Sequence, residues 1–313
     1  MAEAHAFYSA EDRGGSQSSW RRWCLHTLRQ HPQGTVALLL MPAVVWLVAL
    51  TLVPLGIVAY YSMLSRGAWG TVVHVWTLEN YRQLLDPLFL TIAARSVRLA
   101  LCTTALCLLI GYGVAYWIAF SGGTYKSLWL FLVMLPFWTS DLVRVYAWIA
   151  LLADHGLINN ALLALHLISQ PLPLLHNEGA VLLGLVYTYV PFMILPLYAA
   201  LERLDRTMLD AAADLGARPV EQWWKVTLPL TRGGVLSGSV LVFVPTLGEF
   251  VIPELLGGAK VLLLGKFIAL KFTGLRHWPL GSTYALVLVL CLVLVLWGVI
   301  RFGGPQTLQE WDG

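Results

Sequence analysis

Charged side chains lie within the long apolar stretches of this sequence, among them Asp141, Arg144, Glu249 and Glu254. A charge at the centre of a bilayer costs about 2.5–3.5 kcal/mol on insertion scales, so each one needs a partner or a function. Asp141 and Arg144 are three residues apart, which allows them to pair with each other or with a neighbour. The two glutamates have no basic residue nearby in sequence and are flanked by prolines. Because proline-broken helices persist at membrane depth where they line a cavity, this pattern indicates a polar passage.

Other kinds of chemistry are not supported by residue spacing. The histidines of one loop, His155, His166 and His176, are ten or more residues apart and lack the pattern of a metal site. The dipeptide Gly265-Lys266 lacks the earlier glycine of a phosphate-binding loop, so no Walker motif is present. The four cysteines suggest no disulfide framework. We therefore predict no catalytic residue and no metal site, and any ATP hydrolysis must be performed by another chain.

The composition indicates an integral membrane protein. Of the 313 residues, 58% are hydrophobic and 12% are charged, and the mean hydropathy is +0.72. A soluble domain carries about a quarter charged residues. The net charge of +3 is small and its basic residues are scattered, which argues against a nucleic-acid partner.

Apolar runs long enough to cross a bilayer define the domain organisation. A basic leader, 1–35, precedes the first run, which we interpret as a retained transmembrane helix and not a cleaved signal peptide. A transmembrane domain over 36–301 contains a charged loop at 202–233 and is followed by a tail, 302–313. The predicted membrane spans are 36–61, 97–120, 127–151, 180–201, 234–256 and 283–300.

Lysine and arginine are distributed unequally between the predicted loops. The loop between the third and fourth spans contains neither residue, whereas the loop between the fourth and fifth contains five. By the positive-inside rule the first is external and the second cytoplasmic, which places both termini in the cytoplasm of a multi-pass membrane protein. The loop 257–282 disagrees, because it carries four basic residues and is predicted to be external. Two external segments, 77–90 and 156–168, predict short helices too short to span.

The charged cytoplasmic loop predicts two short helices joined by a turn. The pattern over 203–215 favours one helix, and Gly216 is suited to end it in a left-handed conformation. Pro219 suits the start of a second helix, in which Glu221 and Lys225 form an i, i+4 pair and Pro229 ends the helix. A stripe of Val220, Trp223, Trp224 and Leu228 is predicted on this second helix. An exposed tryptophan pair on such an elbow fits either a groove in a partner protein or the membrane interface.

The spacing Asp210-Ala211-Ala212-x3-Gly216-x9-Val226-x-Leu228-Pro229 resembles the EAA signature of ABC-importer permeases, with Asp in place of Glu and Val in place of Ile. The resemblance implies an all-α integral membrane protein with six transmembrane helices and the type I (MetI-like) permease fold. It also implies that the elbow is a coupling helix that docks on an ATP-binding subunit. The predicted coupling residues are Asp210, Ala211, Ala212, Gly216, Arg218, Glu221, Trp223, Trp224, Leu228 and Pro229.

Four further segments, 135–148, 156–163, 189–205 and 247–258, resemble the permeases of putrescine and spermidine importers. That resemblance implies a non-catalytic subunit that binds no cofactor itself. Its implied partners are two ATPase copies that hold ATP and Mg, a homologous second permease, a periplasmic polyamine-binding protein and the membrane lipids.

An alkyl diamine needs carboxylates for its ammonium ends and aromatic walls for its methylenes. We therefore predict that substrate passes the residues Asp141, Glu249, Glu254, Trp138, Tyr146, Tyr187 and Tyr189. The alternatives are a structural Asp141–Arg144 pair, a contact of Glu254 with the binding protein, and aromatics of the interfacial belt. The close-packing pair Gly234 and Gly238 fits either the sister permease or a contact within the chain.

Two other classes of function remain as alternatives. An ion-coupled secondary transporter of a cationic amine would share the apolar spans and the intramembrane carboxylates, but it has no need of a cytoplasmic docking elbow. An intramembrane enzyme would require a metal or nucleophile cluster, which the sequence lacks.

Overall fold

The computed structural model describes residues 32–302, with side chains from 40 to 301. The predicted leader, 1–35, and tail, 302–313, therefore lie outside the described residues except at their inner ends. The chain divides into two compact units, with the boundary between Val58 and Ala59. The described part of the first unit is helical throughout, and all sites discussed below lie in the second.

Helices make up most of the described chain. Short 3-10 turns stand at Ala68–Gly70, Gln83–Leu85, Gly123–Tyr125, Leu135–Trp138 and Gly258–Lys260, and a π-helical turn at Trp223–Thr227. The elements in chain order are α1 (Pro32–Ser62), β1 (Leu64–Arg66), β2 (Val72–Trp76), α2 (Glu79–Arg82), α3 (Pro87–Ser121), α4 (Lys126–Met134), α5 (Asp141–Leu152), α6 (Leu157–Ala164), α7 (Glu178–Glu202), α8 (Arg206–Asp214), α9 (Pro219–Gln222), α10 (Leu228–Leu230), α11 (Arg232–Gly248), α12 (Val251–Leu255), α13 (Leu264–Thr273) and α14 (Trp278–Phe302).

Five stretches of the described chain are long and apolar enough to cross a membrane. The count rises to six when Pro219–Leu230 and Arg232–Gly248, which meet at a bend of 69°, are taken as one span. The prediction of a six-helix membrane protein is thus confirmed with one span bent. The five stretches are Leu40–Ser62, Pro87–Ser121, Asp141–Ala164, Glu178–Glu202 and Trp278–Arg301, and the third of them comprises α5 and α6.

A two-stranded antiparallel sheet, β1–β2, adds a small hairpin to the otherwise helical fold. The buried side chain of Asn80 donates to the carbonyl oxygens of Ser62 and Leu64, at 3.0 and 2.8 Å, and so fixes the start of the hairpin. The predicted interfacial helix over 77–90 is interrupted at Asp86, because Asp86 caps a new helix, α3, by accepting from the Leu88 N–H. The second predicted external helix, 156–168, is present as α6.

The core of the second unit is formed by α3, α7 and α11, which pack against one another. Gly234 and Gly238 on α11 permit this packing: a Cβ at Gly234 would lie 2.6 Å from Cβ of Ala200, and one at Gly238 would lie 2.7 Å from Sδ of Met193. Both neighbours belong to α7. The small-residue pair therefore serves a contact within the chain, one of the two possibilities that its spacing left open.

Replacing Gly234 with alanine is expected to destabilise the core. The added methyl would also meet the Pro196 carbonyl oxygen at 2.8 Å, so α7 and α11 must separate, at about 1–3 kcal/mol for an overpacked site. The measurement is thermal unfolding of the purified protein in detergent. Gly113→Ala is the matched control, because that helical position has no neighbour within 4 Å and alanine favours helix. Equal melting temperatures for the two variants would contradict the close contact.

Two of the predicted spans are broken in the structure. The third, 127–151, consists of α4 and α5, because Pro136 lies in a 3-10 turn and the chain becomes extended at Thr139. The fifth, 234–256, consists of α11 and α12, and here the break falls at Glu249. Pro245 stays inside α11, so the proline does not itself mark the interruption. Each break places a carboxylate, Asp141 or Glu249, at a helix terminus.

Two of the four basic residues of the segment 257–282 are engaged within the protein. Lys266 is 12% exposed and pairs with Glu254 at 3.0 Å, and it also donates to the Gly258 carbonyl oxygen. Lys271 lies 4.6 Å from the ring centre of Phe267. These contacts give the charges a structural role in a segment whose basic content conflicts with the positive-inside rule.

Candidate functional site

A cavity of about 320 Å³ lies where the two broken helices meet α7. One wall comes from the α4–α5 break, a second from the middle of α7, and a third from the α11–α12 break. Because both breaks leave helix ends at the same place, polar side chains reach a region that unbroken helices would line with apolar groups. The lining residues are Phe137, Asp141, Val145, Thr188, Tyr189, Phe192, Pro245, Gly248, Glu249, Phe250, Val251 and Ile252.

Glu249 is held in a fixed position at this cavity. One carboxylate oxygen, Oε2, accepts from the Tyr189 hydroxyl at 2.8 Å. The other, Oε1, accepts from the backbone N–H groups of Val251 at 2.9 Å and Ile252 at 3.4 Å. These N–H groups belong to the start of α12 and have no partner within that helix. The carboxylate therefore caps α12 while it faces the cavity.

Asp141 enters the cavity from the first turn of α5. Its Oδ1 accepts from the Arg144 guanidinium one turn later, which forms the predicted i, i+3 pair. The Asp141 side chain is 71% exposed, whereas that of Arg144 is 7% exposed. The cavity thus contains two carboxylates, one paired with a cation and one held by neutral donors.

Aromatic side chains form the apolar part of the cavity wall. Phe137 and Phe192 meet edge to face at 5.3 Å between ring centres, and Tyr189 lies 6.2 Å from Phe192. Phe250 stands beside Glu249 in the second break. We did not predict the three phenylalanines from the sequence. A usable signal was present, since Phe137 and Phe192 each follow a proline and Phe192 lies one helical turn after Tyr189.

Three of the seven residues predicted to line a substrate path are brought together here: Asp141, Tyr189 and Glu249. The remaining four do not line this cavity, and their place in a substrate path stays a prediction. Glu254 points elsewhere because it pairs with Lys266. The other three are aromatic and have different surroundings. Trp138 packs on Phe131, Tyr187 packs on Trp148, and Tyr146 is 59% exposed.

A second candidate site is the elbow formed by α8 and α9. Gly216 adopts φ +82°, the left-handed conformation predicted for it. Its N–H donates to the Ala213 carbonyl oxygen at 2.8 Å, and the Ala217 N–H donates to that of Ala212 at 3.0 Å. This pair of bonds is a Schellman motif, which satisfies the last carbonyl groups of α8 and turns the chain.

The second helix of the elbow is more irregular than its sequence predicts. Pro219 begins α9, and the Arg218 N–H donates to Oε2 of Glu221 at 3.1 Å. The chain then passes through the π-helical turn into α10. The helix was predicted to end at Pro229, but Pro229 lies inside α10, which ends one residue later at Leu230.

The two tryptophans of the elbow face different surroundings, so the predicted exposed pair is wrong for one of them. Trp223 is partly buried against the core, and its ring meets that of Tyr112 on α3 edge to face at 5.4 Å. Trp224 is 59% exposed. The reason is the 3.6-residue period, because adjacent positions on a helix point about 100° apart. Leu228 also packs inward, which leaves Val220 and Trp224 as the outer pair.

The outer surface of the elbow combines apolar and charged groups. The most exposed apolar side chains are Met208, Leu215, Val220 and Trp224. The predicted pair Glu221–Lys225 is present at 3.6 Å. The backbone N–H of Arg218, together with the Lys225 charge, holds the pKa of Glu221 below its usual range. The motif positions Asp210 and Ala211 are also exposed on α8.

The elbow is tied to the membrane core through buried contacts. The fully buried Thr231 hydroxyl, between α10 and α11, lies 3.0 Å from the Tyr112 hydroxyl. With the Trp223–Tyr112 ring contact, this bond joins the elbow to α3.

Comparisons with known proteins agree with this arrangement. The sequence profile of the family described as "Binding-protein-dependent transport system inner membrane component" matches residues 108–301. The chain is 40% identical over 256 residues to the spermidine/putrescine transport system permease protein PotB of Haemophilus influenzae, covering 82% of this chain and 90% of that protein. It is 38% identical over 251 residues to PotB of Escherichia coli, covering 80% and 91%.

Among solved structures, a chain of a bacterial alginate ABC transporter in complex with its alginate-bound periplasmic protein superimposes with a TM-score of 0.66. The match covers 90% of this chain and 97% of that chain at 15% sequence identity. At this identity the likeness establishes a shared fold and nothing about the solute.

Proposed function

The chain belongs to the family of binding-protein-dependent transport system inner membrane components, and from this premise we propose that it is the permease subunit of an ATP-driven polyamine importer. As a member of that family it is a multi-pass inner-membrane protein. The polyamine assignment rests on the transport function for which the PotB relatives are named, and the chain covers about 90% of their lengths. The observation that carries it on this chain is the cavity with two carboxylates and aromatic walls.

The cavity has the chemistry that an alkyl diamine or triamine requires. Glu249 offers a carboxylate to an ammonium group, and Asp141 offers a second. The rings of Phe137, Tyr189 and Phe192 provide apolar surface for the methylenes and faces for cation–π contact, worth about 0.5–2 kcal/mol each. A substrate with charged ends and an apolar centre is thus matched by a cavity of the same pattern.

ATP hydrolysis in this proposal is performed by partner subunits. The exposed apolar face of the elbow is the surface on which two ATP- and Mg-binding subunits dock. The contact between the elbow and α3 couples their movement to the membrane domain. A homologous second permease and a periplasmic polyamine-binding protein complete the assembly. The solute passes by alternating access, in which the cavity opens to one side of the membrane at a time. Both termini are placed in the cytoplasm, with the elbow.

The elbow also supports this proposal over an ion-coupled secondary transporter of a cationic amine. A stand-alone carrier has no use for an exposed Leu215, Val220 and Trp224 on a rigid cytoplasmic turn. Family membership gives the same answer, since the family is defined by dependence on a binding protein.

Co-purification tests the proposal directly. We expect an ATP-binding subunit and a second permease to remain with this chain in mild detergent. After reconstitution with the binding protein, putrescine or spermidine is expected to raise the ATPase rate severalfold, and an amino acid or a sugar is the control solute. If the ATPase is retained but neither polyamine stimulates it, the assignment as an importer subunit stands and the assignment of polyamine as the solute is rejected. A chain that transports polyamines in vesicles without any ATPase would reject the importer.

A further inference from the structure

A positive charge adjoins the cavity without lining it. The Arg144 guanidinium donates to Oδ1 of Asp141, and the cavity is lined by Asp141. The two partners differ in their surroundings, since the arginine side chain is 7% exposed and the aspartate side chain is 71% exposed. The carboxylate therefore opens to the cavity, while the guanidinium is enclosed by protein.

We infer that Arg144 is a tethered counter-ion, which neutralises Asp141 while the cavity is empty and yields it to an ammonium group of the substrate. This inference rests on the proposed polyamine transport. Among residues 32–302, the donors that contact Glu249 are neutral: the Tyr189 hydroxyl and two backbone N–H groups. A first ammonium group is attracted to Glu249 directly, whereas a second one competes with Arg144 for Asp141.

The geometry favours an exchangeable pair over a purely structural one. Asp141 is open to the cavity, so an ammonium group can replace the guanidinium there, and the cost of the exchange falls on the buried Arg144. Arg144 is itself incompletely bonded, because its buried Nε has no hydrogen-bond partner in the described part of the chain. Lys266 provides a contrast within the same protein, since it is held by both Glu254 and the Gly258 carbonyl oxygen. Arg144 is thus the less firmly held of two similar cations.

Displacement of a tethered cation lowers the apparent affinity for substrate, because only the fraction of cavities with a free Asp141 is competent to bind the second ammonium group. The same competition discriminates by charge. A monoamine binds at Glu249 and leaves the Arg144–Asp141 pair in place. A diamine gains its second ionic contact, with Asp141, only when it displaces Arg144. Arg144 is in this sense a residue that determines specificity.

The test uses uptake of radiolabelled putrescine by the assembled importer in vesicles, with saturating binding protein. Arg144→Met removes the competing cation without burying a new polar group. It is expected to assemble, to keep its maximal rate, and to lower the half-saturating putrescine concentration about tenfold, the equivalent of one charge-assisted hydrogen bond. The double variant Asp141→Asn with Arg144→Met removes the second anionic site and is expected to lower uptake at least about tenfold.

The matched control is Glu254→Gln with Lys266→Met, because this pair also joins a buried cation to an exposed carboxylate but lies outside the cavity. Its half-saturating concentration is expected to be that of the wild type. If the pair at 141 and 144 is only structural, the neutral double variant will match or exceed Arg144→Met, and that order overturns the inference. The inference is also overturned if the double variant assembles and Arg144→Met does not. A wild-type importer that takes up no polyamine would instead overturn the proposed function.

Discussion

Replacement of Glu249 by glutamine is expected to reduce polyamine uptake by about 10- to 100-fold, which corresponds to the loss of a charge-assisted hydrogen bond of about 1.5–3 kcal/mol. The reason is that glutamine removes the negative charge that would meet an ammonium group. It retains the amide oxygen as an acceptor for the Val251 N–H, so the cap of α12 is preserved. Its amide group also remains able to bond with the Tyr189 hydroxyl.

The measurement is putrescine uptake normalised to the amount of assembled importer. Tyr189→Phe is the matched control, since it removes one hydrogen bond to Glu249 and keeps both the charge and the ring. We expect this variant to lose less than the glutamine variant. Glu249→Ala provides a second comparison, because it removes the cap and the charge together. Normal uptake by a well-assembled Glu249→Gln importer would remove this carboxylate from the substrate path.

The carboxylates illustrate how far the sequence reaches at the cavity. The cost of a charge in a membrane singled out Asp141 and Glu249 in the sequence, and the structure brings both to one cavity. Glu254 met the same criterion and is elsewhere, because its partner, Lys266, lies twelve positions later on another helix. A charge pattern along the chain shows that a charge needs a partner. It does not show which distant residue the fold provides.

The elbow shows a similar division. Gly216 was predictable, because helix termination in the left-handed region is a local requirement that glycine meets at low cost. The orientation of Trp223 was not predictable, because it depends on Tyr112, which lies more than a hundred residues away in the chain. The bend at Glu249 also depends on tertiary contacts, since Pro245 remains within a helix and Gly265 packs against the carbonyl oxygens of the break.

Replacement of Gly216 by proline is expected to abolish coupling between ATP hydrolysis and transport. Proline fixes φ near −65°, whereas this residue requires +82°, and it also deletes the N–H that donates to Ala213. The Schellman turn cannot form, at a cost of about 3 kcal/mol or more. Consequently α9 and the following π-helical turn, which carries the exposed Trp224, lose their orientation to α8. The measurement is the amount of ATPase subunit retained in detergent together with polyamine-stimulated ATPase activity.

Gly123→Pro is the matched control for backbone strain. Gly123 also has a positive φ, +53°, and no neighbour within 4 Å of a Cβ, but it lies in the turn between α3 and α4. It is expected to carry a similar penalty and to keep the ATPase bound. Trp224→Ala distinguishes the loss of the docking surface from backbone strain, because this exposed ring contributes little to the core. If Trp224→Ala loses the ATPase subunit and keeps its thermal stability, the outer face of the elbow supplies the docking energy. If Gly216→Pro remains fully coupled, the ATPase subunit binds elsewhere.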